Sequence, residues 1–275
     1  MGSRRVWRWG WLFSGVLLAG AWLSAAAPPV RSVPGLAVPG RAARAPVRAA
    51  DDDVLKAVPG SPYQAGARGV DASFPQCPSQ PSGQGAAFTV LGVNGGSTFT
   101  ANPCLVRQWQ IAPPSRSLYV NSGYRTPDDA HQTAACQALA RAVGGPAADQ
   151  DAYATGCAAT QFSLSLLREV GVGPPLVWWI DVEQANVWDG DLTVNRSALQ
   201  GEIDLLVSSG RPIGVYSTAL QWQAIFGDWA PAHVSADWVP GTRAACAGPG
   251  FTGTPVWLIQ DLDPGPDGVD LDSAC

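Results

Sequence analysis

Leu176-Val177-Trp178-Trp179-Ile180 is an unbroken apolar run, and Asp181-Val182-Glu183 follows it without a spacer. The run is too short for a free-standing helix and rich in β-formers, so it reads as a strand buried on both faces. Such strands belong to parallel sheets covered by helices, whose active sites form at the carboxyl ends of the strands. Two carboxyl groups therefore stand where this strand leaves the core. Residues two apart on an extended backbone project to the same side, with Cβ atoms roughly 6–7 Å apart. One carboxylate raises the proton affinity of the other, so the pair can hold one acid and one base near neutral pH. That is equipment for cleaving a glycosidic bond. It also suits a strand-end pair that caps a helix or meets an arginine, because a bare Asp-x-Glu acquires specificity only from its context.

Context comes from the rest of the chain. Short β-type runs recur at 69–74, 88–94, 118–123, 177–183, 213–218, 234–239, 255–260 and 268–272. Helical patterns fit between several of them, at 130–143, 161–170 and 196–209, the last with Leu199, Ile203, Leu206 and Val207 on one stripe and Gly210 as its terminator. Alternating strands and helices predict an α/β fold with a parallel sheet. Eight strands in so short a stretch, with little room for helices between the last three, predict a small irregular (β/α) barrel of the TIM type. The chain has 275 residues, 46% hydrophobic and 14% charged, enough for one sizeable core.

Ahead of the barrel, residues 1–27 read as an export signal. Arg4, Arg5 and Arg8 precede an apolar stretch, and Ser24-Ala25-Ala26-Ala27 offers small residues for cleavage. Ser3-Arg4-Arg5-Val6-Trp7 resembles a twin-arginine signal with Trp where Phe is usual, while the general secretory route is the expected one. Residues 28 to about 65 are rich in Pro, Ala, Gly and Arg and read as a linker, leaving 66–275 as the domain. The mature chain is expected to be secreted or wall-associated, monomeric and without a membrane span. All six cysteines (Cys77, Cys104, Cys136, Cys157, Cys246, Cys275) fall in the exported part, which implies three disulfides in an oxidising compartment. Fifteen pairings are possible; sequence order is the expected one. Without a Cys-x-x-Cys and with only two histidines, no metal site is expected. From Gly66 onward 19 acidic side chains face 9 basic ones, a formal charge of −10, which disfavours nucleic acid or an anionic membrane as partner.

Gly69-Val70-Asp71-Ala72-Ser73-Phe74-Pro75-Gln76 opens the domain, Asp181-Val182-Glu183 ends the fourth strand, and Val269-Asp270-Leu271-Asp272 closes the chain. First and last strands are neighbours in a closed barrel, so these acids can meet at one mouth. The order Gly-Val-Asp-x-Ser-x-x-Gln, Asp-Val-Glu, Val-Asp-Leu-Asp resembles the family 25 glycoside hydrolases, muramidases on an irregular β/α barrel, and within that likeness an actinobacterial group of glycoside-hydrolase-like domains. The resemblance implies hydrolysis of a cell-wall polysaccharide, peptidoglycan or another N-acetylated glycan, with no cofactor. It implies that Glu183 is the general acid. Asp181 would be its partner, orienting the 2-acetamido group that serves as nucleophile, and Asp71 and Asp270 the supporting carboxylates. It also places Asn94, Tyr216, Gln260 and Asp272 where they are expected to bind substrate.

The chain departs from that pattern in two loops. Val93-Asn94-Gly95-Gly96 stands where the family usually carries Lys-x-x-Glu-Gly, and the third strand ends in Val120-Asn121-Ser122-Gly123-Tyr124 rather than the usual aromatic or His pattern. A non-hydrolytic carbohydrate-binding or wall-associated protein, and a glycosidase of another specificity, therefore stand as alternative readings. Trp188 and Trp222 fall in expected loops as platforms for sugar rings, with core packing the competing reading for Trp222. Trp178 and Trp179 are expected in the core. The acids from Asp261 to Asp272 lack EF-hand spacing and read as solvated turn residues. His131 and His233 lack any Ser or Cys motif beside them.

Overall fold

In the computed structural model the structure describes residues 58–78, 85–125, 130–263, 265 and 268–275. The expected export signal at 1–27 and most of the expected linker at 28–65 lie outside the described residues. Eight strands close into one barrel in sequence order. They are β1 (Arg68–Ala72), β2 (Phe88–Gly92), β3 (Arg116–Asn121), β4 (Trp178–Asp181), β5 (Ile213–Tyr216), β6 (Ala236–Gly241), β7 (Val256–Asp261) and β8 (Asp270–Ala274). Five α-helices accompany them among the described residues: α1 (Leu105–Ile111), α2 (Ala134–Val143), α3 (Ala147–Val170), α4 (Leu192–Val207) and α5 (Ala219–Phe226).

The barrel is not wholly parallel. β8 runs antiparallel to both β7 and β1. The cause is connector length. Only residues 262–269 separate β7 from β8, whereas a parallel crossover needs a dozen or more residues. The expected parallel sheet therefore holds for β1 to β7 and fails at the last strand. This matters for the site, because the beginning of β8, rather than its end, reaches the mouth formed by the carboxyl ends of the other strands.

Neighbouring tryptophans in β4 serve opposite faces, as the twofold period of a strand requires. Trp178 packs outward with Leu199, Ile203 and Leu206 of α4, while Trp179 packs inward with Phe88, Tyr119, Tyr216 and Trp238. The interior is narrow, and two strands meet its rings with glycine: a Cβ at Gly69 would lie 2.2 Å from the Phe88 ring, and one at Gly214 would lie 2.1 Å from the Trp179 ring. Tyr63 belongs to this interior too. Its hydroxyl bonds Ser117 Oγ (2.5 Å) and accepts from Trp179 Nε1 (3.1 Å). Residues 58–65, assigned above to the linker, thus include a buried plug of the barrel.

Three helices differ from expectation. α3 begins at Ala147, fourteen residues before the stretch read from sequence. Its buried residues run almost without a break from Ala152 to Thr160 and are mostly small, with Tyr153 the one large side chain among them, so they leave no hydrophobic stripe. That smallness lets α3 and α4 touch: a Cβ at Gly156 would fall 1.9 Å from the Ala198 carbonyl oxygen. α1 and α5 were unforeseen because they are short. α5 nonetheless carries a legible start, Thr218-Ala219-Leu220-Gln221, whose Thr218 side chain accepts from Gln221 N.

The six cysteines pair as Cys77–Cys104, Cys136–Cys157 and Cys246–Cys275. The second ties α2 to α3, and the third ties the loop after β6 to residue 275. No helix among the described residues is long and apolar enough to cross a membrane.

Candidate active site

Asp71, Asp181, Glu183 and Asp270 line one open cavity of about 280 Å³ at the mouth of the barrel. Each arrives for a local reason. Asp71 sits near the end of β1 and pairs in register with Asp270, the first residue of antiparallel β8. Asp181 is the last residue of β4. Extended geometry continues for one more residue, with Val182 buried and its N–H donating to the Tyr216 carbonyl (2.9 Å). Glu183 therefore returns to the side Asp181 faces. The Glu183 carbonyl is pinned by Asn186 N (3.0 Å) and Trp188 Nε1 (2.9 Å).

Depth separates the roles open to these acids. Asp71 and Asp181 are 7% and 8% exposed, whereas Glu183 and Asp270 are half-buried. Asn121 Nδ2 donates to Asp181 Oδ2 in a short hydrogen bond. Asn121 is itself clamped by Asn94, whose Nδ2 donates to the Asn121 carbonyl (2.9 Å) and whose Oδ1 accepts from Asn121 N (3.1 Å). Tyr216 Oη donates to Gln260 Oε1 (2.7 Å), and Gln260 Nε2 donates to Asp71 Oδ2 (3.0 Å). Two carboxylates are thus oriented by amides, which fix geometry without adding charge.

Not every expected substrate contact reaches this cavity. Tyr216 and Gln260 line it. Asn94 is buried behind Asn121 and acts by holding it. Asp272 lies one pleat deeper than Asp270, fully buried, and accepts from Trp238 Nε1 (3.0 Å). Trp222 is 2% exposed, donates to the Trp229 carbonyl (3.0 Å) and packs on Phe226, so it belongs to the core and offers no platform. Trp188 packs edge-on against Phe226 and supports the Glu183 loop rather than lining the cavity.

Other lining residues went unforeseen: Ser73, Phe74, Tyr119, Asn121 and Trp238. Tyr119 and Asn121 carried a signal, being two apart at the end of β3 in the same relation as Asp181 and Glu183. Phe74 is 41% exposed at the rim.

No lysine, arginine or histidine is among the described residues lining the cavity. The carboxyl groups therefore hold their protons tightly. Burial, then Asp270, pushes Asp71 up to about 7, against the Gln260 hydrogen bond. Burial first, then Glu183 and Asp71, holds Asp181 well above the usual carboxylate range. Glu183 is raised by burial and by Asp270, and Asp270 by burial. Elsewhere burial lifts Asp237 to about 7 and Glu202, hydrogen-bonded by Ser122, to about 8.

A consequence for stability follows from linkage. These groups bind protons more tightly folded than unfolded, so folding takes up protons where the unfolded carboxyls have lost them. Their contribution is complete below the unfolded values of about 4 and declines as pH climbs through about 7 to 8. The melting temperature measured by calorimetry is expected to fall between pH 5 and pH 8. A rise over that interval would contradict the proton-holding core.

No family model matches the chain. A probable GH family 25 lysozyme of Dictyostelium discoideum is 41% identical over 51 residues, 18% of this chain and 24% of that protein. The chain thus matches about a quarter of that relative's length. Among solved structures, a muramidase from Trichobolus zukalii is similar with a TM-score of 0.52 at 14% identity, over 76% of this chain and 93% of that one. The barrel shares its fold with this muramidase. The catalytic domain of endolysin ply40 from a Listeria monocytogenes bacteriophage covers 78% of this chain and 95% of its own, with 17% identity and a TM-score of 0.49. At these identities the structural likeness is one of fold. In this barrel the acids read from sequence, Asp71, Asp181, Glu183 and Asp270, occupy the mouth formed by β1, β4 and β8.

Proposed function

We propose that this protein is a secreted glycoside hydrolase that cleaves an N-acetylated cell-wall polysaccharide, as a muramidase does. The observation that carries the reading is the convergence of four carboxyl groups from three strands in one open, cation-free cavity. Glu183, half-exposed at the open side and with raised proton affinity, is suited to protonate the glycosidic oxygen. Asp181, deeper and oriented by Asn121, is suited to hold the 2-acetamido group. As the bond from the anomeric carbon to the leaving oxygen breaks, the acetamido oxygen bonds to that carbon and the Glu183 proton passes to the leaving oxygen. Water then opens the cyclic intermediate and returns a proton to Glu183, a substrate-assisted exception to the usual two-carboxylate scheme. Asp71 and Asp270 stand beside the developing positive centre, which favours their ionised forms as it forms. Phe74 at the rim offers an exposed ring for the apolar face of a sugar. The names of the similar proteins, a lysozyme and a muramidase, agree with this substrate class. Three disulfides suit an oxidising, extracellular location.

The test is release of new reducing ends from purified peptidoglycan by the mature protein. Release supports the assignment. Retention on the polymer without release would turn the reading to a carbohydrate-binding protein on the same barrel.

A further inference from the structure

Glu202 is a buried carboxyl that the mechanism above does not use. It stands on α4, 2% exposed, and accepts from Ser122 Oγ (2.7 Å). Two glycines make room for it. A Cβ at Gly201 would lie 2.2 Å from the Tyr153 carbonyl oxygen, and one at Gly156 would lie 3.2 Å from Glu202 Cγ. The helices α3 and α4 therefore approach closely here, and the Glu202 stem takes the space of a side chain at 156. Its carboxyl faces a small space that Asn94, Asn121, Thr160 and Ser163 also line, with no lysine, arginine or histidine among the described residues around it. Burying a carboxyl without a cation is costly in its charged form. Burial accordingly pushes Glu202 up to about 8, so it keeps its proton in mildly acidic solution.

Ser122 links this carboxyl to the cleft. It directly follows Asn121, the last residue of β3, and successive residues of an extended backbone face opposite ways. Asn121 lines the cleft and donates to the Asp181 carboxyl, while Ser122 turns its hydroxyl to α4. The Ser122 N–H donates to the Asp181 carbonyl (2.9 Å). Two consecutive residues thus hold Asp181 twice, once by its side chain and once by its backbone. Asn94 fixes Asn121 from the side of β2. Glu202 fixes Ser122 from the opposite side, so a shift at Ser122 would carry both bonds to Asp181 with it. Misplacing a reacting group by about 1 Å can cost 10²-fold in rate.

We propose that Glu202 is a positioning residue of the acid cleft: by holding Ser122 it sets the end of β3, and through β3 it sets the Asp181 carboxyl. This deepens, and rests on, the glycosidase reading of the cleft.

The experiment compares the parent protein with Glu202→Met, Glu202→Gln and Ser122→Ala at pH 6, on a soluble peptidoglycan fragment. Methionine fills the volume of glutamate but accepts no hydrogen bond from Ser122. It removes a buried carboxyl and leaves one hydroxyl unpaired, opposing effects that should change the melting temperature little. Its kcat is expected to fall about 10- to 100-fold with KM within about two-fold, because Asp181 acts on the reacting group rather than on the remote sugars. Glutamine keeps both shape and acceptor and is expected to restore most of kcat. Ser122→Ala breaks the same link from the other end and is expected to match Glu202→Met, which keeps the test open should the methionine variant not fold. A kcat that survives Glu202→Met or Ser122→Ala, or that Glu202→Gln fails to restore, overturns the proposal. A readout independent of turnover is the Asn121 side-chain amide signal in ¹⁵N-labelled protein, assigned by its loss in Asn121→Ser. It is expected to move in Glu202→Met and to return in Glu202→Gln. If the parent protein releases no reducing ends, the glycosidase reading falls and this signal decides alone: a shift in Glu202→Met keeps Glu202 as the support of Asp181, and an unmoved signal overturns that too.

Discussion

Glu183→Gln is expected to reduce the hydrolytic rate by about 10²–10⁴, the usual contribution of a positioned general acid. Glutamine keeps the shape of the side chain but has no proton to deliver at the leaving oxygen. Folding should not change, for two reasons. The contacts that position residue 183 are made by its backbone carbonyl, with Asn186 N and Trp188 Nε1, and survive the substitution. The replacement also removes a carboxyl that burial and Asp270 disfavour as an anion. Rate measured against peptidoglycan, with thermal melting as the control, separates the two effects. An unchanged rate would remove Glu183 from the acid role. A large fall in melting temperature would mean that it is chiefly a structural residue.

The largest effect on stability is expected at Trp179. Its ring is fully buried inside the barrel, lies over Gly214, meets Trp238 edge-on at 5.8 Å and donates its indole N–H to Tyr63. Truncation to alanine removes those contacts and leaves a void that a closed barrel cannot collapse to fill. Trp179→Ala should cost about 3–5 kcal/mol, a large share of the roughly 5–15 kcal/mol that holds a typical domain together. A denaturant titration that shows a shift of the midpoint with little change of slope would establish this. A cost below about 1 kcal/mol would mean that the interior is not packed around this ring. Trp222 makes a useful comparison. It is equally hidden but sits among α5, Trp229 and Phe251 outside the barrel, so truncation there should leave the strands in register.

Strands β2 to β7 were legible as short runs of β-branched and aromatic residues bounded by turn formers. By contrast, β1 and β8 are poor in such residues and stood out as short runs with acids at alternate or terminal positions. Their closure into a barrel was legible as well, from the count of eight strands in so short a stretch. Other features were not. The buried middle of α3 is mostly small residues in an almost unbroken run, so the helix left no periodic signal although it packs closely enough for Gly156 to meet the Ala198 carbonyl. Trp178 and Trp179 are indistinguishable in sequence, and only the position of the barrel axis sends one inward. Tyr63 looked like part of a linker because nothing local reveals that the end of a barrel must be plugged.

The same division runs through the site. Asp181 and Glu183 declared themselves by spacing, since a strand period of two is a property of the local backbone. Asp270 and Asp272 have that same spacing, yet one reaches the cavity and the other is sealed beneath it, because the short connector before β8 reverses the strand. The amides that orient the carboxylates, Asn121 for Asp181 and Gln260 for Asp71, come from other strands altogether. Sequence by itself therefore determined which residues carry the acidic groups and which lie on one face of a strand. The tertiary structure alone decided which of them share one space, and hence which keep a proton, because proton affinity depends on burial and on the distance to charges brought in from the opposite end of the chain.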